Sequence, residues 1–146
     1  MAIANRDLDV SEQNLPLQAL IPATAVGAST IVPLALIPYP GAIKAFSLAS
    51  TGVSGAVVGS LAINRFVAGA GLTAIIVAGA SLALVNVGTS GAQNFTIPAA
   101  SSTLVQVLRG DVVSLVLVGG NNVLASQACL VVQALQDIKS PLGLSS

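Results

Sequence analysis

The sequence has no histidine, no tryptophan and a single cysteine. Without histidine the chain cannot form a His-based catalytic triad, a histidine zinc site or a histidine proton shuttle. The lone Cys129 cannot form an intramolecular disulfide, and it is typical of assembly in a reducing compartment. We therefore expect no catalytic residues and no cofactor.

Charged residues are also scarce, at 7% of the chain against about a quarter in an ordinary globular domain. Five Lys and Arg balance five Asp and Glu, so there is no basic field that would attract nucleic acid. Because so little charge repulsion separates monomers, this composition favours association between subunits.

The acidic residues near the N-terminus raise the question of a metal site. Asp7, Asp9 and Glu12 could in principle bind calcium, but they lack the glycine turn and the full loop of an EF-hand. We expect a solvated terminus and no metal site. Acidic residues follow Arg6 at once, which is unlike the apolar run of a secretory signal.

The high mean hydropathy of +0.92 makes an integral membrane protein the main alternative. Residues 66–87 carry no charge and are long enough to span a bilayer as a helix. Three glycines in this segment and the β-branched residues between positions 73 and 77 favour a strand instead. Because the chain has no tryptophan and one tyrosine, it also lacks the aromatic belt of membrane proteins.

Residues 1–40 contain five of the seven prolines, which break helices and favour extended backbone. The residues between the prolines are apolar, unlike those of a disordered linker. The pattern predicts an extended N-terminal arm that lies across another surface, either its own domain or, as we favour, a neighbouring subunit. The predicted partner-binding residues of the arm are Leu15, Leu17, Leu20, Ile21, Ile31, Val32, Leu34, Leu36 and Ile37.

Residues 41–140 alternate short apolar segments with glycine-rich turns, which is typical of an all-β fold. We predict a single antiparallel β-sandwich, jelly-roll-like, followed by a C-terminal tail at residues 141–146. Residues 112–118 are apolar on both faces, which indicates a strand covered by a second sheet and by a neighbour. The predicted strands are 41–50, 57–66, 72–77, 82–87, 93–97, 103–108, 112–118 and 128–138.

Local patterns add detail to these strands. Alternation places Lys44, Phe46 and Leu48 on one face of the first strand of the sandwich. Residues 119–122 are predicted to connect a hairpin. The pair Gly110-Asp111 predicts a turn in which the glycine has a positive φ and the aspartate binds nearby backbone N–H groups.

Three features occur in order along the chain: a Pro-x-x-Gly-x-Ile pattern within residues 37–43, a Gly-Asp strand at 110–116, and an apolar last strand at 129–135. Together they resemble the small β-sandwich proteins that decorate the heads of tailed bacteriophages. The resemblance covers residues 37–138. It implies a capsid cement protein that binds the major capsid protein and sister copies.

That resemblance and the composition lead to one functional expectation. The chain is expected to be a non-enzymatic virion structural protein on the capsid surface, assembled in the host cytoplasm. We expect a homo-oligomer, with a trimer as the first guess, and neither nucleic acid nor a membrane as partner. A second alternative is a carbohydrate-binding β-sandwich of a viral fibre, although the chain offers few aromatics for stacking on sugars.

Overall fold

The computed structural model describes residues 14–26, 28–53, 56–84, 92–99, 101–119 and 122–134. Within these ranges the protein is all-β and contains no helix. The strands are β1 (Asn14–Ile21), β2 (Thr24–Ala25), β3 (Thr30–Leu36), β4 (Gly41–Ser50), β5 (Val58–Val67), β6 (Gly71–Ala83), β7 (Gln93–Phe95), β8 (Gln106–Val107), β9 (Val112–Val118), β10 (Asn122–Val123) and β11 (Ser126–Ala134).

Two antiparallel sheets pack face to face, which confirms the predicted β-sandwich. The first sheet has the order β1-β11-β4-β7, with β8 also paired to β4, and the second has the order β3-β9-β5-β6. Apart from the two-residue strands, the pairings are nested: β5 with β6, β4 with β7, β3 with β9 and β1 with β11. This nested order is that of a jelly roll, in which a long hairpin is rolled into two sheets.

The core lies between the two sheets and is built from alternate residues of each strand. Leu48 and Leu130 from the first sheet, and Leu61 and Leu115 from the second, are each at most 1% exposed. Because successive side chains in a strand point to opposite faces, each sheet also has an outer face. The outer face of the second sheet carries the candidate site.

The structure corrects the prediction for the N-terminal arm. Its described part pairs with strands of its own chain, β1 with β11 and β3 with β9, so its backbone belongs to the sandwich and is not an arm laid across a neighbouring subunit. Pro16 and Pro33 indicate extended backbone correctly, but they lie in edge strands, where one side has no ladder partner among the described strands. The acidic cluster at residues 7–12 and the tail at 141–146 lie outside the described residues.

Two predicted strands, 72–77 and 82–87, form one strand as far as the structure describes them. β6 runs from Gly71 to Ala83, and its pairing with β5 jumps from Ala62↔Ile76 to Ser60↔Ser81. The glycine-rich segment between the two regular halves is therefore an irregularity within a strand and not a turn between strands. Residues 85–87 lie outside the described ranges.

A bulge in β4 overturns the predicted face of Lys44. Ile43 is opposite Val132 and Ala45 is opposite Val131, so Lys44 is an extra residue in the ladder. The bulge shifts the alternation by one, so that Ile43 and Phe46 both face the core while Lys44 is exposed.

The predicted connections around β9 are partly wrong. β9 pairs with β3 and β5, whereas β10 pairs with β2, so residues 119–122 do not join a hairpin. The predicted strand at 103–108 is reduced to β8, because residues 101–105 turn, with the amide of Val105 bonded to the carbonyl of Ser102. The strands β4 and β9 have the predicted bounds.

Gly41 is buried at the start of β4, and we expect Gly41→Ala to destabilise the fold by about 2–3 kcal/mol. A Cβ there would lie 2.6 Å from the carbonyl oxygen of Gln133 and 2.8 Å from Cγ1 of Val132. Gly69 is the control, because a Cβ there meets open space and only its positive φ of 84° costs about 1 kcal/mol. Urea denaturation measures both, and equal losses would contradict the steric explanation.

Candidate interaction surface

The outer face of the second sheet exposes large apolar side chains. Directly opposed residues of antiparallel neighbours share a face. Leu36 therefore lies with Val112 and Asn64, while Ile31 lies with Val116 and Ser60. Six large apolar side chains on this face are exposed, and we call them the outer patch: Ile31 57%, Leu36 68%, Val58 40%, Phe66 75%, Leu72 68% and Val118 43%.

None of the charged residues that the structure describes lies on this face. The described ranges contain four charged residues, Lys44, Arg65, Arg109 and Asp111. Lys44 is in the first sheet, Arg109 lies in the turn before β9, and Arg65 points to the opposite face of β5 from Phe66 and pairs with Asp111. A face that exposes several large apolar side chains and no charge is typical of a site that binds another protein.

The polar groups on the face are paired among themselves. The side-chain amide of buried Asn64 donates to the hydroxyl of buried Ser114 at 2.6 Å. The hydroxyl groups of Ser60 and Ser81 are 3.3 Å apart and hydrogen-bonded. Because these groups satisfy one another, a partner that covers the face need not supply hydrogen bonds to them.

An ion pair closes one end of the sandwich. Nε of Arg65 donates to Oδ1 of Asp111 at 3.0 Å, and Nη2 donates to Oδ2 at 2.7 Å. Nη2 also donates to the carbonyl oxygen of Gln106 at 3.3 Å. The side chain of Asp111 is 3% exposed and that of Arg65 28%. Hydrogen bonding with Asp111 is the largest cause that raises the pKa of Arg65 above its ordinary value, while partial burial opposes it.

The same carboxylate holds the turn before β9, as predicted. Oδ2 of Asp111 accepts a hydrogen bond from the backbone N–H of Leu108 at 2.7 Å, and Gly110 has a φ of 90°. The turn prediction is therefore confirmed, but sequence reasoning missed Arg65 as the partner of this aspartate. The ion pair joins β5 to the turn, which gives it a structural role.

The nine predicted partner-binding residues are placed in different environments. Ile21 and Ile37 are in the core, at 2% and 1% exposure. Leu15 is half-buried, and Leu17, Val32 and Leu34 are partly buried, the last three against the core. Leu20 is exposed on β1, while Ile31 and Leu36 belong to the outer patch.

Sequence reasoning missed the largest members of the outer patch. Phe66 and Leu72 face each other across the β5–β6 hairpin, and Val58 faces Val118. One signal did point to this face, because the strand at residues 112–118 is apolar on both sides. The missed members of the outer patch can be placed on this face only when the order of the strands in the sheet is known.

Two findings concern the alternatives considered from the sequence. Residues 66–84 form the end of β5, a turn and β6, and no described helix is long and apolar enough to cross a membrane. A shallow depression of about 240 Å³ beside β2 and β10 has no aromatic lining. In the described ranges, no group of three His, Cys, Asp or Glu residues is arranged to hold a metal.

Comparison with known proteins identifies no relative. The chain matches no protein-family model, no curated protein and no solved structure.

Proposed function

We propose that the chain is a non-enzymatic structural protein of a virion. It decorates a capsid and stabilises it by packing the outer patch against a neighbouring shell subunit. The observation that carries this proposal is the set of six exposed apolar side chains on one uncharged face of a jelly roll. Such a face can bind another subunit by burying apolar surface, and it needs no catalysed reaction to do so.

The area of the outer face limits how tightly one copy of the chain can bind a shell subunit. A four-stranded sheet with strands of about seven residues presents roughly 19 Å by 24 Å, or about 450 Å². A standard interface takes about 800 Å² from each partner. The face therefore supplies about half of a standard interface, which suits a contact that a symmetric shell repeats many times.

Two further observations support a capsid as the setting. The chain resembles phage head decoration proteins at the Pro-x-x-Gly-x-Ile pattern, the Gly-Asp strand and the apolar last strand. Jelly rolls also occur in viral capsid domains, although a fold alone does not define a function. The proposed partners are the major capsid protein and sister copies on the capsid surface.

The proposal is tested with virus particles from the culture that produces this chain. We expect the chain to sediment with the particles in a density gradient. A photoreactive phenylalanine analogue at Phe66 should then cross-link to a shell subunit, while the same analogue at exposed Lys44 should not. Absence of the chain from the particles would overturn the proposal.

We also expect Phe66→Ala to weaken binding to particles that lack the chain by tenfold or more, because a few large aromatic side chains often contribute most of the energy of an interface. Tenfold corresponds to about 1.4 kcal/mol. Leu124→Ala is the control, since this leucine is 49% exposed but lies beside β10, away from the outer patch. A quantitative rebinding assay measures both, and equal losses would contradict the patch as the contact.

A further inference from the structure

The edge strands of the two sheets differ in how they are protected. β1 carries Pro16 and β3 carries Pro33. The far edge of the first sheet is formed by the short strands β7 and β8, of three and two residues. Prolines, charges and short length are the usual devices that prevent an edge from pairing with another chain.

β6 has none of these devices within residues 71–76, and its β-bulge, a further such device, lies between residues 76 and 81. It is 13 residues long and contains no proline and no charged residue. Only β5 pairs with it in the described part of the chain. Residues 71–76 form a regular ladder with β5, and Thr73 and Ala74 are exposed. The β-branched residues of this half favour the extended conformation that a new ladder requires.

We propose that residues 71–76 of β6 pair antiparallel with the same residues of a second copy, about a two-fold axis. Two-fold pairing brings like residues together, and a charged residue in this segment would oppose it by repulsion. The segment has no charge to do so. The inference stands apart from the virion proposal, because it concerns the free chain and the backbone edge of β6, whereas the virion proposal concerns side chains on the outer face.

A second copy of the chain is a better partner for the edge of β6 than an unrelated strand, because the pairing covers the same edge on both chains. In a two-fold pair each β6 covers the other, so that neither edge remains open and the assembly closes. The result is a continuous sheet of eight strands, a number that is common in proteins.

Pairing also enlarges the outer patch. Phe66 and Leu72 lie at the β5–β6 end of the face, so the two patches meet at the new junction. The combined face is about 900 Å² by strand geometry, close to the 800 Å² that one partner contributes to a standard interface. The pair thus reaches an area that one chain alone does not.

The mass of the species that the purified chain forms in solution tests the pairing directly. Sedimentation velocity should show a species of twice the 14.3 kDa chain mass. Ala74→Lys should weaken self-association tenfold or more, because two like charges meet near the axis. Gln18→Lys on β1 is the control, since it adds the same charge to an exposed position of an edge that carries a proline.

A persistent dimer of Ala74→Lys would overturn the inference, as would a monomeric wild-type chain. A mass of three chains would also overturn it and would favour the trimer expected from the sequence. Circular dichroism confirms that both lysine variants remain folded. These measurements need no particle, so their outcome does not depend on capsid binding.

Cross-linking tests which residues lie at the axis. In a Cys129→Ser background, cysteine is placed in turn at Leu72, Thr73 and Ala74, and dissolved oxygen serves as the oxidant. Opposed Cα atoms in antiparallel pairs are about 4.5–5.5 Å apart, within reach of a disulfide. We expect one of these variants to form a covalent dimer and Gln18→Cys to form none. No cross-link at any of the three, or an equal yield at Gln18, would overturn the pairing.

Discussion

Phe46→Ala is expected to lower the free energy of unfolding by about 4 kcal/mol. Phe46 is 1% exposed in β4, at the centre of the first sheet. Its ring centroid is 4.7 Å from that of Phe95, with the planes tilted by 54°. Truncation removes both the burial of the ring and this aromatic pair, and it leaves a cavity in a closely packed core.

Phe66→Ala is the matched control for this loss, because it makes the same chemical change at a side chain that is 75% exposed. We expect a change within about 0.5 kcal/mol there. Urea denaturation followed by far-ultraviolet circular dichroism measures both variants, since the chain has no tryptophan to report by fluorescence. Similar losses at the two phenylalanines would contradict the assignment of core and surface faces.

Asp111→Ala is expected to destabilise the protein by about 3 kcal/mol. The change removes the acceptor of three donor groups at once, because Asp111 accepts hydrogen bonds from Nε and Nη2 of Arg65 and from the backbone N–H of Leu108. The Leu108 amide loses its acceptor and Arg65 its counter-ion. Arg65 is 28% exposed, so water compensates part of that loss and the effect falls at the lower end for buried pairs.

Arg109→Ala is the control for this prediction, since Arg109 lies in the same turn but is exposed. Its effect should stay within about 0.5 kcal/mol. A double-mutant cycle with Arg65→Ala separates the ion pair from the bond to the Leu108 amide. Additive losses for Arg65 and Asp111 would show that the ion pair makes no contribution of its own.

The sequence predicts the fold well where the signal is local. Short apolar segments bounded by turns predict β4 and β9 with their observed limits. The Gly110-Asp111 turn is also local, because the positive φ and the bond to the Leu108 amide involve residues three apart in sequence. Backbone conformation and neighbouring hydrogen bonds are sufficient for such features.

Other features depend on contacts between distant residues. The β4 bulge at Lys44 depends on how β11 aligns with it, and no residue within β4 indicates this. The same is true of Arg65, whose partner lies 46 residues away. The prolines of the N-terminal segment indicate extended backbone, but they do not show which surface that backbone joins.

The candidate surface could be predicted only in part. Ile31 and Leu36 are among the predicted contact residues, and the sequence indicates that residues 112–118 are apolar on both faces. Phe66 and Leu72 lie in strands whose neighbours the sequence does not indicate, so the sequence does not predict that they share a face. An outer face is defined by strand order, which depends on the whole sheet.

The pairing of β1 with β11 bears on how the chain folds during synthesis. Asn14 is opposite Gln133 and Ile21 is opposite Ser126, so the first sheet cannot close until the ribosome has made β11. The pairing of β4 with β11 also cannot form before β11 is made, whereas the β5–β6 hairpin can form early. Folds dominated by such distant pairings fold slowly. The nascent chain therefore exposes its core strands for most of its synthesis, a period in which chaperones can bind it.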